Sequence, residues 1–310
     1  MRVFVTGASG HIGSAVVPEL LNAGHQVVGL ARSDASAAAL EAAGAEVRRG
    51  HLDDLDGLQE GAAAADGVIH LAYNHDWMRT GDMQAAVDAD LRAVQALGAG
   101  LEGSDKPFVG TGGTAMLALA GITDRPGTER DVLDGGPRID AENHVIGLAQ
   151  AGVRSSVLRL PPLVHSTLDH HGFGPSLIAI AREKGVSGYV GDGANRWPAV
   201  HTLDAARLYR LALEAAPAGT RLHAVDDDGV PVRDIAEVIG RMLGVPTAGI
   251  APEAAGEHFS FLASFVSVDN PASAELTREL LGWAPTHAGL IEDLEDGHYF
   301  EHVPSGAGVS

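Results

Sequence analysis

Residues 2–13 read Arg2, Val3, Phe4, Val5, Thr6, Gly7, Ala8, Ser9, Gly10, His11, Ile12, Gly13. The apolar run at 3–5 predicts a short buried strand. Glycines then recur as Gly-x-x-Gly-x-x-Gly, and Ile12, Ala15, Val16 and Leu20 continue at the spacing of one helical face. A strand, a glycine turn and a helix, in that order, make the setting that a dinucleotide-binding fingerprint needs. Gly7 takes the tight turn, Gly10 lets a pyrophosphate approach the main chain, and Gly13 lets the helix pack on the strand. The helix start offers unpaired N–H groups and a positive dipole end to phosphates. Ser9, His11 and Ile12 complete the expected phosphate-binding set.

Outward from this stretch, strands and helices alternate. Strands are expected over 26–30, 46–49, 68–71, 108–109 and 155–160, the last closed by Pro161 and Pro162. Helices are expected over 35–43, from Leu55 after a cap at Asp53 or Asp54, over 82–97 and near 139–151. A loop rich in glycine and proline fills 121–137. This alternation predicts an α/β fold of the Rossmann type, a doubly wound parallel sheet over residues 1–162. After Pro162 the rhythm changes. Helices are expected over 175–184, 203–215, 232–243, 253–262, 272–281 and near 287–300, with strands over 186–190, 197–201 and 221–225. That predicts a smaller α-rich C-terminal substrate lobe over 163–303, interleaved with the last sheet strands, and a frayed tail at 304–310.

Composition narrows the function classes. With 310 residues the chain can bury a sizeable core, and 45% hydrophobic with 20% charged residues are globular values. There are no cysteines, so disulfides, thiolate zinc sites and cysteine nucleophiles are excluded, and a cytoplasmic setting is expected. Neither a membrane span nor a signal peptide is expected. A net charge of −20 repels nucleic-acid backbones, so the expected partners are a small-molecule substrate and a second copy in a homodimer.

With the strand Val68-Ile69-His70-Leu71-Ala72 in place, the chain resembles an extended or atypical short-chain dehydrogenase/reductase over residues 1 to about 300. Within that group it resembles bacterial proteins of the NAD-dependent epimerase or 3β-hydroxysteroid-dehydrogenase-like type. The resemblance implies that the main chain at Leu71 and Ala72 passes the cofactor. It implies that the segment Arg159-Leu160-Pro161-Pro162-Leu163-Val164-His165 touches the nicotinamide, chiefly at Pro161 and Val164. Val200-His201-Thr202-Leu203-Asp204-Ala205-Ala206 resembles the family's start of a C-terminal helix. His51 stands where the family has an aspartate near the adenine, with Leu52 and Asp53 following it as cofactor contacts.

Strand two ends in Arg32 and Ser33. A guanidinium fork suits a ribose 2′-phosphate, so NADP(H) is the expected cofactor; Asp34 comes slightly late for the diol role but keeps NAD(H) open.

The resemblance implies a Ser/Thr, a Tyr and a Lys as catalytic groups, the last two as Tyr-x-x-x-Lys. That motif is absent; the four tyrosines are Tyr73, Tyr189, Tyr209 and Tyr299. Matching Glu142 to the glutamate that often follows the motif puts Asp134 at the Tyr position and Arg138 at the Lys position. Arg138 can hold a ribose or phosphate but cannot donate a proton near neutrality. Thr111 and Thr114 keep hydroxyls after strand five, and Thr114 is the candidate for polarising a substrate oxygen. Tyr73, just past strand four, and His165 are candidate proton donors; His75, His144, His170 and His171 are weaker ones among 15 histidines. His170 and His171 with Asp169 are not expected to hold a metal. Arg196 stands where sugar-nucleotide relatives contact a phosphate, and fits equally the rim of a core around Trp197. Phe173, Trp77 and Met78 are candidates to line an apolar pocket.

The expected function is therefore an NADP(H)-dependent oxidoreductase reducing a small or medium apolar carbonyl or imine. The alternatives are an NADP-binding regulator without turnover, and an epimerase or lyase using the cofactor transiently.

Overall fold

The computed structural model describes residues 1–75 and 82–301. Trp77 and Met78 lie outside those residues. Seven parallel strands form the main sheet: β1 (Arg2–Thr6), β2 (Gln26–Ala31), β3 (Glu46–Arg49), β4 (Gly67–His70), β5 (Pro107–Gly113), β6 (Arg154–Leu160) and β10 (Thr220–His223). Their order is β10-β6-β5-β4-β1-β2-β3. The order reverses between β1 and β4, which is where a doubly wound sheet opens its ligand crevice.

In the first half of the chain the helices are α1 (His11–Asn22), α2 (Asp34–Ala42), α3 (Leu55–Ala63), α4 (Met83–Ala99), α5 (Ala115–Leu119) and α6 (Ile139–Gly147). The later ones are α7 (Phe173–Lys184), α8 (Thr202–Ala215), α9 (Val232–Leu243), α10 (Ala255–Phe259), α11 (Ala263–Val266), α12 (Glu275–Leu281) and α13 (Leu290–Glu295). Successive strand residues face opposite sides of the sheet, which builds two layers. Val3, Val5, Ile69, Val109 and Leu158 pack against α1, α2 and α8. Phe4, Val68, Phe108 and Val157 pack against α3, α4 and α6. A third core joins α7, α9 and Trp197 to α10 and α13 in the C-terminal lobe. That lobe carries a sheet ordered β11 (Asp227–Pro231), β9 (Arg196–His201), β7 (Leu163–His165), and a pair of β12 (Thr247–Ile250) with β8 (Ser187–Val190). Its segment 202–223 returns to the main sheet as α8 and β10, where Arg210 on α8 pairs with Glu19 on α1 at 2.6 Å.

Three expectations need correction. Strand five does not stop at Val109: Gly110, Thr111, Gly112 and Gly113 continue in register opposite Val157, Leu158, Arg159 and Leu160. Helix α6 presses on two of those glycines: a Cβ at Gly110 would lie 3.2 Å from Val145 and one at Gly112 2.8 Å from Glu142 Oε2. The pattern over 253–262 is not one helix: Ser260 takes φ 52° and ends α10. The final helix covers Leu290–Glu295, ending before Gly297 at φ 92°. Strands β7, β11 and β12 were not legible as strands. Among the described residues no helix is long and apolar enough to cross a membrane.

Candidate active site

The phosphate cradle is built at the β1–α1 turn. Gly7 has φ 68°, and a Cβ there would lie 2.6 Å from the main-chain nitrogen of Ala72. The exit of β4 therefore sits directly on the turn, and Leu71 N donates to Thr6 O at 3.1 Å. A Cβ at Gly13 would lie 2.2 Å from Gly7 O, so only glycine lets α1 start this close to β1. Gly10 caps α1 with no side chain, leaving the first N–H groups, from His11, Ile12 and Gly13, for an anion. Ser9 and Gly10 are exposed beside them. This geometry fits a dinucleotide pyrophosphate.

Arg32 and Ser33 are exposed beyond β2. Among the described residues Arg32 makes no ion pair. The Ser33 hydroxyl caps α2 by accepting from Ser36 N at 3.1 Å. The Asp34 carboxylate is held by the Arg49 guanidinium, which also donates to Ser33 O. Asp53 is exposed, 3.7 Å from Arg92, and Leu52 is half-buried next to it. Pro161 and Val164 are buried, with Val164 in the sheet's core, so any cofactor contact of Val164 is through its main chain.

At the carboxyl edge of β4 and β5 the structure brings together two of the sequence candidates. The Arg138 guanidinium lies 4.0 Å over the centre of the Tyr73 ring. Arg138 has φ 63° and donates from Nη2 to Thr111 O at 2.9 Å, while its Nε is buried without a partner. Burial pushes the Tyr73 hydroxyl above its ordinary value, and the Arg138 charge opposes that shift. His75 sits edge-on to Tyr73 at 5.1 Å. From Thr111 runs a buried polar chain whose other members the sequence did not single out. Thr6 Oγ1 bonds His70 Nδ1 at 2.7 Å, and His70 Nε2 bonds Asp90 at 3.1 Å. Thr111 Oγ1 donates to His70 O at 2.7 Å and lies 2.8 Å from the buried Tyr209 hydroxyl. Asp90 had a signal in the sequence: it is a carboxylate on the buried stripe Ala86, Val87, Ala93, Val94, Leu97 of α4.

Thr114 is fully buried, and its hydroxyl accepts from Asn270 Nδ2 at 3.3 Å. Asn270 lines an apolar cleft with Ala115, Leu119, Pro162, Trp197, Phe265 and Val268. The Phe173 ring packs tilted against Trp197 at 5.8 Å and against Phe265 at 5.4 Å. Asp134 is exposed. Arg196 is held by both oxygens of Asp269, at 3.1 and 2.8 Å.

The histidines fall elsewhere. His165 is buried in the lobe, Nδ1 2.9 Å from Asp293 and Nε2 without a partner. His144 lies near Glu102, which precedes β5, and so away from the carboxyl edge. His170 and His171 are exposed, close enough to His11 to repel its proton. Burial, with those charges and His165, pushes His11 down to about 4, and the neutral ring bonds Thr202 at 2.9 Å. His201, Asp204 and His287 bring three donor atoms within 4.8 Å of one another. The two rings, however, stack at 4.5 Å and 9°, so their lone pairs run side by side and do not converge on one ion. Asp204 is moreover filled by the main-chain N–H groups of Thr286 and His287, each at 3.0 Å.

Residues 3–105 match the model of the NAD dependent epimerase/dehydratase family. An uncharacterized protein of Schizosaccharomyces pombe is 48% identical over 302 residues, covering 97% of this chain and 100% of that one. A 2-alkyl-3-oxoalkanoate reductase of Stenotrophomonas maltophilia is 28% identical, covering 79% of this chain and 77% of its own. In fold, the chain is similar to the dTDP-glucose 4,6-dehydratase of Streptomyces venezuelae solved with NAD bound, at a TM-score of 0.75 and 19% identity over 96% of each chain. With its glycine cradle inside the segment that matches the NAD dependent epimerase/dehydratase family model and its seven-stranded parallel sheet, the chain belongs to one family with the Schizosaccharomyces pombe protein and has the fold of the dehydratase.

Proposed function

We propose that this protein is an NADP(H)-dependent oxidoreductase that reduces a small or medium apolar carbonyl or imine. The observation that carries the reading is the Arg138 guanidinium stacked over Tyr73 where β4 leaves the glycine turn. Arg32 and Ser33 hold the 2′-phosphate in this reading. Asp34, which would favour a free diol, is already engaged by Arg49. The dinucleotide, when bound, supplies the hydride. Tyr73, protonated near neutrality as any tyrosine is, donates its proton to the substrate oxygen or nitrogen. Arg138 takes the orienting role that a lysine has in the family's usual motif: its charge offsets the tyrosinate left behind until solvent returns the proton. Thr114 acts through Asn270 and not by direct contact. The reductase relative from Stenotrophomonas maltophilia supports this class of reaction.

The test is NADPH oxidation by the purified protein with a panel of ketones, aldehydes and imines. Turnover should fall by roughly 10²- to 10⁴-fold in Tyr73→Phe, the range general acids contribute, with NADPH binding retained. Unchanged turnover in that variant would remove Tyr73 as the donor, and a silent panel would remove the reductase reading. The fold likeness to a dehydratase favours a second reading, an epimerase or lyase with transient cofactor use; it predicts altered substrate without net NADPH loss.

A further inference from the structure

We propose that His11 and Asp169 form a proton-holding pair beside the phosphate cradle, and that the diphosphate of a bound dinucleotide draws a proton onto the His11 ring, making it the cradle's side-chain cation. The proposal rests on the reading of the cradle as a dinucleotide site and not on which substrate is reduced.

Charge is the first argument. Three segments meet at the cradle: the turn itself at 6–13, the exit of β4 at 70–75, and β7 with its following loop at 163–172, which reaches His11. None of them contains a lysine or an arginine. A dinucleotide diphosphate is a dianion, and it must approach a chain of net charge −20. The start of α1 offers it only the partial charge of a helix end. Histidines are the side chains in these segments that can become cations. His11 is the one whose main-chain N–H already belongs to the anion site at the start of α1.

Hydrogen bonding is the second argument, because it fixes which ring nitrogen stays open. Thr202 Oγ1 donates its single proton to His165 O at 3.1 Å and accepts from Ser166 Oγ at 2.9 Å. His11 Nε2 lies 2.9 Å from the same oxygen and must therefore donate to it. That tautomer leaves Nδ1 as a bare lone pair, 3.7 Å from Asp169 Oδ1. A lone pair facing a carboxylate is repelled, and a proton on Nδ1 turns the repulsion into an ion pair. The carboxylate cannot swing away. Its side chain is 3% exposed and accepts from Gly172 N at 2.8 Å and from the Tyr299 hydroxyl at 3.3 Å, which itself accepts from Ser166 N at 3.1 Å.

The balance of charges around the pair gives the direction. Burial raises the Asp169 carboxyl above its ordinary value, so this carboxylate gains from a cation beside it. Burial, with His170 and His171 from the loop and His165 from β7, holds the free His11 ring at about 4. An opposite charge within about 4–6 Å moves a titratable group by roughly 1–3 pH units, so the diphosphate brings His11 to roughly 5–7. The bound state then carries more protons than the free state, and affinity rises as pH falls from the bound value toward the free one. His201, which precedes α8, is also held at about 4, by burial with His165 and His287 and against Asp293 and Asp204. Its ring stacks on His287, so it serves as the control histidine.

The experiment is calorimetric titration of the full chain with NADP⁺ between pH 8 and pH 5, with NAD⁺ in parallel because a 2′-phosphate itself titrates near 6. Runs in MES and in Bis-Tris at pH 5.5 count the protons exchanged. The wild-type chain should take up about half a proton or more per NAD⁺ bound. His11→Gln keeps an amide to donate to Thr202 but cannot become charged. As pH falls from 8 to 5, wild-type affinity for either dinucleotide should gain about threefold or more over this variant. Asp169→Asn should lose most of that gain, and His201→Gln should keep it. Parallel curves for wild type and His11→Gln would overturn the pair. So would a wild-type chain that binds NAD⁺ without proton uptake, a measurement that needs no variant to fold. Failure of the underlying reading looks different: no dinucleotide bound at any pH would remove the cradle itself. Tighter binding of NAD⁺ than of NADP⁺ would remove the choice of NADP(H) and leave the proton linkage standing.

Discussion

Arg159 and Arg138 both lie where α6 meets the end of β5, and their surroundings differ in kind. Arg159 is fully buried and has its donors met by Glu142 at 3.0 and 2.6 Å, Asp131 O at 2.9 Å and His223 at 3.3 Å. Arg221 reaches the same carboxylate at 2.7 Å. Arg138 donates to Thr111 O, leaves a buried Nε unpaired, and covers an aromatic ring at the crevice. A satisfied guanidinium holds elements together, whereas an unsatisfied one at a carboxyl edge is available to a ligand or to a charge that develops in a reaction.

The contrast breaks or sharpens under substitution. The largest effect belongs to Arg159→Leu, which leaves the buried Glu142 with Arg221 as its remaining partner and His223 and Asp131 O without theirs; denaturant titration should show a loss of roughly 3–5 kcal/mol or outright unfolding. A well-folded, fully stable variant would show that this network is ornamental. Next comes Arg32→Ala at the far end of the crevice. Losing a charge-assisted bond should weaken NADPH by about 10- to 100-fold in a fluorescence titration and leave NADH unmoved. Arg138→Met should lower kcat/KM about tenfold with stability within about 1 kcal/mol of the parent, the inverse of Arg159→Leu. Large destabilisation there would erase the distinction between the two arginines.

Acid sharpens it most gently. Burial, aided by Arg159 and opposed by Glu129, pushes His223 down to about 4, and His11 is also near 4. The unfolded chain protonates these histidines first, so their contribution is complete above about pH 6.5 and is lost as pH falls toward 4, by at most about 1.4 kcal/mol per pH unit for each. Glu142 adds a second slope. Burial raises its carboxyl, but Arg159 and Arg221 outweigh burial and hold it below the ordinary value. Its contribution is present above the usual glutamate range and disappears on acidification below it. A melting curve against pH should flatten between 6.5 and 4.5 in His223→Gln.

How much of this was legible followed from distance along the chain. The cradle is local: Gly7, Gly10 and Gly13 stand three apart, and their turn is set by neighbours on the same segment. The continuous apolar run Val3, Phe4, Val5 likewise pointed to a strand buried on both faces. Tyr73 and Arg138 could each be nominated, but their stacking could not, because it joins the end of β4 to the turn before α6. Asn270 carried no local signal at all, since its partner Thr114 is 156 positions away. The strands β7, β11 and β12 carried no such run: β7 has three residues and follows two prolines, and β11 and β12 hold glycine among polar or small residues.

The return of residues 202–223 to the sheet bears on how the chain is made. Until β10 emerges from the ribosome, β6 is an open edge with unpaired backbone groups, and until α8 emerges, the outer face of α1 lacks its cover. The nascent nucleotide-binding half therefore waits for more than sixty further residues beyond β6 before its sheet and helix layer can close. A chain cut at residue 162 would keep every glycine of the cradle and still present a sticky edge, so synthesis in the cell has a window in which chaperone capture competes with completion of the sheet.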